Sequence, residues 1–377
     1  MRSAEDQKRL LAGVVLQVRG GKAVSRRELA DALGLSPSTA GQYVDHLQAV
    51  GMLLEDGLVR GGMGRPRRSL RVCGTAGWFA GVEFNADRLC GVRVDFAGQR
   101  EAVAVEHLAR GATAAEVVEI LALMVRQLQA DHEAPLLGLG VGVPGVVDPD
   151  AGIGVHYSFI SGWDQIPLAD LLNDRLQVPV LLENNLRAIA MAERWFGGGD
   201  ELSDYVILGP RSGFGMAIVS DGRLVRGGHF AAGEPGRWPW PLNGSAAERQ
   251  VQDALSAPAV YRRLAGLAKD ASPPTDLHQA LEDLGQIQGA AWESVIEDYG
   301  RVLGLFHLLV DAQRYFLHGP LVGLGARFCE ELSAAAARIF PAIKSTDTLR
   351  VVPSELSDDA GALGAAIMAM EAWQPSL

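Results

Sequence analysis

Ser25-Arg-Arg-Glu28, Gly34, Ser36-Pro37 and Gly51 punctuate the start of the chain at intervals that only short helices fit. Ser25 and Glu28 form a capping box, and Gly34 is a stop for the helix they begin, which runs to about Leu33. Ser36 is a good N-cap beside a proline at the first helical position, and Gly51 closes the helix STAGQYVDHLQAV. That helix is expected to bury Val44, Leu47 and Val50. Ahead of both, AEDQKRLLAGVVLQVR places Leu10, Leu11, Val14, Val15 and Val18 at helical spacing. Two short helices joined by a glycine-containing turn, behind a longer one, form a helix-turn-helix pattern.

The next stretch, MLLEDGLVRGGMGRPRRSLRV, reads as two apolar strands around a turn at Glu55-Asp56-Gly57, with GRPRR projecting as a basic wing. Arg65, Arg67 and Arg68 flank a proline and suit an extended path in a narrow, electronegative minor groove. Ser36, Ser38, Thr39 and Gln42 lie near the start of the third helix, off its apolar stripe, where base contacts are made. Gln42 has the chemistry for a bidentate pair with adenine. Charge supports the same reading: residues 1–72 carry 12 Lys+Arg against 7 Asp+Glu, the remainder 22 against 38. A basic head on an acidic body favours contact with double-stranded DNA by the head alone. A three-helix interaction module with a solvated basic loop is the competing reading. The charge shift and the wing favour a winged helix-turn-helix over residues 1–72.

At 377 residues the chain exceeds one hydrophobic core. No apolar run approaches the ~20 residues of a membrane helix, and MRSAEDQKRL lacks the apolar core of a secretory signal. Cys73, Cys90 and Cys329 are odd in number and far apart, which suits a reducing cytoplasm better than a disulfide framework. From Gly77 strands alternate with helices. FAGVEFNADRLCGVRVDFAG predicts two paired strands with a turn near Asn85–Asp87. Thr113 and Glu116 cap an amphipathic helix to about Gln129, and LLGLGVGVPGVV follows as a buried strand and turn. The body is expected to be α/β.

Several segments in order carry a resemblance: GRPRRSL, VGVPGVVDPDAG (141–152), SGWDQIPLADLL (161–172), DGRLVRGGHFAAGEPG (221–236), LHGPLVGLG (317–325) and VVPSELSDDAGALGAA (351–366). Behind a winged helix, they resemble the ROK family (repressor, open reading frame, kinase). The resemblance implies a two-lobed, actin-like (ribonuclease H-like) body: a first lobe over 73–185, completed by a C-terminal helix within 355–377, and a second over 186–354. The family's kinases hold ATP and a hexose between the lobes, and its repressors keep that cleft as a sugar sensor.

Against the family's kinase machinery this chain departs repeatedly. The catalytic base is the aspartate of Glu-Asn-Asp, and Asn185 stands there; a carboxamide accepts a hydrogen bond but not the proton. The first phosphate loop, Asp-x-Gly-Gly-Thr, reads Glu83-Phe84-Asn85-Ala86-Asp87, and the second, Gly-Thr-Gly-Ile-Gly, reads Arg211-Ser212-Gly213-Phe214-Gly215. The family's zinc ligands, one histidine and three cysteines, are replaced as a set: Arg237 takes the histidine position, and WPWPLNGSAAERQVQ holds no cysteine or histidine. Catalytic residues, metal and cofactor are therefore all expected to be absent.

What remains is a polar set that the resemblance assigns to ligand contact: Asn184, Asn185, Glu234, Arg237 and Gln252. With guanidinium and amide groups replacing acidic or neutral ones, a sugar or an anionic sugar derivative is the expected effector, with Arg237 in a bidentate pair to the anion. Trp163, Trp238 and Trp240 are stacking candidates whose commoner role is packing. The chain is expected to be a cytoplasmic DNA-binding regulator, a repressor, acting as a homodimer or dimer of dimers. A carbohydrate kinase of altered specificity and a ligand-independent DNA-binding regulator are the alternatives.

Overall fold

The computed structural model describes residues 3–59, 67–85, 87–109, 111–130, 132–241, 249–339 and 349–375. Three helices come first: α1 (Ala4–Arg19), α2 (Arg26–Ala32) and α3 (Pro37–Ala49). Ser3, Ser25 and Ser36 cap them, each side chain accepting a backbone N–H three residues on. The Glu28 carboxylate reaches back to the Val24 amide (3.0 Å), one residue before the expected partner. Leu11, Val14, Val15 and Val18 of α1 are buried with Leu29, Ala40, Val44 and Leu47, each leucine or valine side chain contributing roughly 1.5–3 kcal/mol. Val50 does not join them. The helix ends at Ala49, so Val50 leaves the stripe at the C-cap and is 53% exposed.

The hairpin also differs from expectation. The strand β1 (Leu53–Val59) runs through Glu55-Asp56-Gly57 instead of turning there, and pairs antiparallel with β2 (Arg67–Val72). Gly57 is absorbed as an irregularity of register between Asp56 and Leu58, the kind of extra residue a β-bulge accommodates. Arg65 lies outside the described residues. Arg67 and Arg68 sit in β2 opposite Val59 and Leu58.

The body follows with β3 (Trp78–Phe84), β4 (Arg88–Asp95), β5 (Arg100–His107), α4 (Ala114–Gln129), β6 (Leu136–Val143), β7 (Val146–Asp148), β8 (Ile153–His156), β9 (Asp164–Ile166), α5 (Leu168–Leu176) and β10 (Val180–Asn184). Five of these strands form a sheet ordered β10-β6-β3-β4-β5, while β7, β8 and β9 make a small second one. The chain continues through α6 (Asn185–Phe196), β11 (Tyr205–Pro210), β12 (Phe214–Ser220), β13 (Arg223–Leu224), α7 (Gln252–Leu255), α8 (Ala257–Leu264), α9 (Leu277–Glu282) and α10 (Ala290–Val310). It ends with β14 (Arg314–Leu317), α11 (Gly325–Ala337), β15 (Val351–Pro353) and α12 (Ala360–Ala372). A second five-stranded sheet is ordered β13-β12-β11-β14-β15.

The chain divides into two compact units, one drawn from Met1–Glu183 and Ala362–Leu377, the other from Asn184–Gly361. In the first, α12 lies directly on β3 and β6. A side chain at Gly81 or Gly140 would overlap the carbonyl oxygens of Ala362 and Ala365, so glycine is required by this close approach. The second unit is built on Val206, Leu208, Tyr299, Tyr315 and Phe328, all buried. No helix among the described residues is long and apolar enough to cross a membrane.

Candidate ligand pocket and nucleic-acid face

The polar residues expected to meet a ligand all belong to the second unit. Asn184 is the N-cap of α6, and its Oδ1 accepts the Leu186 amide at 3.0 Å, while Asn185 Oδ1 accepts the same amide at 2.8 Å. Their carbonyl oxygens therefore face inward to the helix start. Leu186 packs beneath Gly209 and Gly215, where any side chain would overlap it. The glycines thus seat the N-terminus of α6 against the β11–β12 hairpin.

Arg187 was not singled out by sequence reasoning, and it organises the site. Its side chain is 3% exposed, and Nη2 donates to the carbonyls of Phe230 (2.7 Å) and Ala232 (3.1 Å). It thereby fastens α6 to the loop that carries Glu234. That loop is also held to β12, the Met216 amide donating to Gly233 O at 2.7 Å. Its sequence signal is an arginine set within the otherwise apolar run Leu186–Ala192 of α6.

Glu234 precedes a helical turn, Pro235–Arg237, and its carboxylate is 3.3 Å from Arg237 Nε. Burial raises the Glu234 pKa, and the charges of Arg237 and then Arg187 oppose the rise. Asn184 and Asn185 are thus joined to Glu234 and Arg237 through Arg187 and its loop. Gln252 opens α7, which contacts the Pro235–Arg237 turn, and its side chain lies beside Gly213 and donates from Nε2 to Gln250 Oε1 at 2.7 Å. Arg237 already has an internal carboxylate partner at Nε, with which an anionic ligand would compete for the guanidinium's charge.

The structure also shows what occupies the phosphate-loop positions. Asn85 Oδ1 accepts the amides of Asp87 (3.1 Å) and Arg88 (2.9 Å), so these donors are turned onto its own side chain. In the second unit, the Arg211 stem covers Gly319, and His318 beside it is buried with no hydrogen-bond partner at Nδ1 among the described residues. Zinc does not fit either. Arg237 at the histidine position is exposed and paired, and no thiol or imidazole follows through Gln252.

The tryptophans are packing residues. Trp163 is buried against Phe84 (ring centroids 4.9 Å), Trp240 belongs to the second unit's core, and Trp238 packs against it. At the head, Ser36, Ser38 and Gln42 are exposed and Thr39 is half-buried. The hydroxyls of Ser36, Ser38 and Thr39 are knitted together, with Ser36 Oγ at 2.9 Å and 2.8 Å from the other two.

Comparison with known proteins fits this arrangement. The chain is 27% identical to the xylose repressor of Caldicellulosiruptor bescii over 229 residues, which span 59% of this chain and 56% of that one. It is 24% identical to the xylose repressor of Bacillus spizizenii over 361 residues, 92% of this chain and 91% of that one. Among solved structures, a ROK family transcriptional regulator described as a homologue of the E. coli MLC protein superposes with a TM-score of 0.80. It is 17% identical, with 97% of this chain and 96% of that one covered. The ROK family model matches residues 90–372, well over half of the sequence, and the chain belongs to the ROK family.

Proposed function

We propose that this protein is a DNA-binding transcriptional repressor whose head reads a duplex operator and whose body senses a sugar or sugar derivative without phosphorylating it. The observation that carries the reading is the exposed start of α3, with Ser36, Ser38 and Gln42 free of the apolar stripe. A short capped helix presenting such side chains beside a β-hairpin has the form of a winged helix-turn-helix. The repressor relatives named above support the same role, and in the domain division read from the sequence this head spans 1–72.

The sensing half of the proposal rests on Asn184, Asn185, Glu234 and Arg237, gathered by Arg187. Carboxamides and a carboxylate suit sugar hydroxyls. Asn185 has no basic lone pair to take a hydroxyl proton, which supports a sensor over an enzyme. A homodimer follows from the two-fold logic of such operators; sedimentation of the full chain checks it.

The test is in two parts. Selection from a random-sequence duplex library should yield a palindromic site, with Arg67→Ala and Arg68→Ala each flattening the log-affinity slope against salt by about 1. A thermal-shift screen of D-xylose, hexoses, sugar acids, sugar phosphates and ATP should then find an effector whose stabilisation disappears in Asn184→Ala. No selected sequence removes the regulator; sugar-dependent release of ADP from ATP replaces it with a kinase.

A further inference from the structure

The net positive charge of the head suggests that its arginines touch phosphate, yet Arg26 is committed elsewhere. It begins α2, and its guanidinium reaches across to α3 and β1. Nε donates to Glu55 Oε1 at 3.0 Å, Nη2 to Gln48 Oε1 at 2.9 Å, and Nη1 lies 2.6 Å from Asp45 Oδ1 and 3.4 Å from Gly41 O. A guanidinium has five N–H donors in a fixed fork, and this one is spread over four acceptors. Gly41, Asp45 and Gln48 stand at helical spacing along one side of α3, next to the exposed side that carries Ser38 and Gln42.

We infer that Arg26 is the positioning residue for sequence reading by α3, fixing the helix's rotation and depth against α2 and β1 without itself contacting DNA.

The inference rests on the operator-reading proposal above. Two physical points support it. The Asp45 and Glu55 carboxylates already hold this guanidinium, and a phosphate would have to compete with both. Base recognition is also steeply geometric, since a bidentate contact needs both atoms placed at once. Without its bridge, α3 would keep its buried stripe of Ala40, Val44 and Leu47 but lose the polar restraint on its rotation.

The experiment uses the full chain, a duplex selected by the wild type from a random library, and a scrambled duplex of equal length. Arg26→Ala and Arg26→Lys should each lower discrimination between the two duplexes by about tenfold or more, with the salt slope on the scrambled duplex unchanged. Lysine keeps the charge but not the fork, so it should fail as alanine does. Glu55→Gln, which retains Arg26, should lower discrimination in the same direction. Full rescue by lysine, or a slope flattened by about 1 in Arg26→Ala, would make Arg26 a phosphate contact and overturn the inference. A wild type that selects no sequence removes the operator reading, and this inference with it. A wild type that selects while all three variants keep full discrimination removes the inference alone.

Discussion

The Arg19 guanidinium lies over the ring of Phe96, 4.8 Å from its centroid, while Nε donates to the Phe96 carbonyl at 3.0 Å. Nη1 reaches the carbonyl of Met370 in α12 at 3.4 Å. The last residue of the first helix is therefore docked on the turn after β4 and on the C-terminal end of the last helix. Burial lowers the Arg19 pKa to about 10, with the Asp95 and Glu371 carboxylates opposing the fall. Within the first unit, the head is fastened to the body at this point.

Arg19→Met should retain the aliphatic stem and lose the donors and the cation–π contact. Charge-assisted hydrogen bonds and a desolvated cation over a ring together set the scale, and a loss of about 3 kcal/mol is expected. Urea denaturation followed by tryptophan fluorescence measures it. An unchanged midpoint would mean that the head is held by α1's apolar face alone.

Gly140→Ala is a sharper probe of the same unit. Its Cβ would meet the Ala365 carbonyl of α12, which is backbone and cannot rotate away. Overpacking typically costs 1–3 kcal/mol, and backbone overlap puts this case at about 3 kcal/mol or more. Gly228→Ala, with open space around it, should be near neutral in the same melting experiment. Equal melting of both variants would show that α12 lifts off without cost.

Some of this was legible in the sequence, and what decided legibility was range. Helix α1 spans the stretch AEDQKRLLAGVVLQVR residue for residue, because its period and caps are local. The turn at Asn85 and the Thr113–Glu116 capping box are local too. The expected turn at Glu55–Gly57 failed because glycine serves a bulge as readily as a turn, and only the partner strand decides which. Val50 failed because a helix that stops one residue earlier moves the next side chain off its face. Arg187 and the Glu234–Arg237 pair depend on chain packing that spacing does not encode. Motif order carried Asn184, Asn185 and Glu234 to one region, but not the internal partner that Arg237 holds.

That partner makes Glu234→Gln informative. In the wild type the charge of Arg237 is offset by Glu234 at 3.3 Å. Neutralising the carboxylate deprives Arg237 of its charged partner, so the site should turn toward anions by about tenfold in relative affinity. Calorimetry with D-glucose and D-gluconate on both proteins reads the ratio. A ratio that does not move separates Arg237 from the ligand.

Asn185→Asp restores a carboxylate at the position of the family's base. Turnover should still not appear. The amides of Asp87 and Arg88 remain bound to Asn85, and Arg211 still covers Gly319. A general base typically contributes 10²–10⁴-fold to a reaction whose other parts are in place, and this chain departs from the family's phosphate-loop sequences at both loops. Coupled assay of ADP from ATP with D-glucose should stay at background; sugar-dependent ADP would show that the loops are competent.

His318 should give the second unit a sensitivity to acid. Burial lowers its pKa from 6.5 to about 4, Arg211 lowers it further, and Asp358 and a backbone hydrogen bond with Ser357 oppose the fall. Between these values the unfolded chain binds a proton that the folded chain does not, so stability is fully present above about 6.5 and is lost as pH falls toward 4. At about 1.4 kcal/mol per unit, the loss approaches roughly 3 kcal/mol. Glu234, whose pKa is raised, works in the opposite direction, favouring the fold as it takes up its proton. Urea midpoints measured across this range should therefore fall more steeply in the wild type than in His318→Asn. Parallel curves would assign the acid sensitivity to other groups and leave His318 as a packing residue.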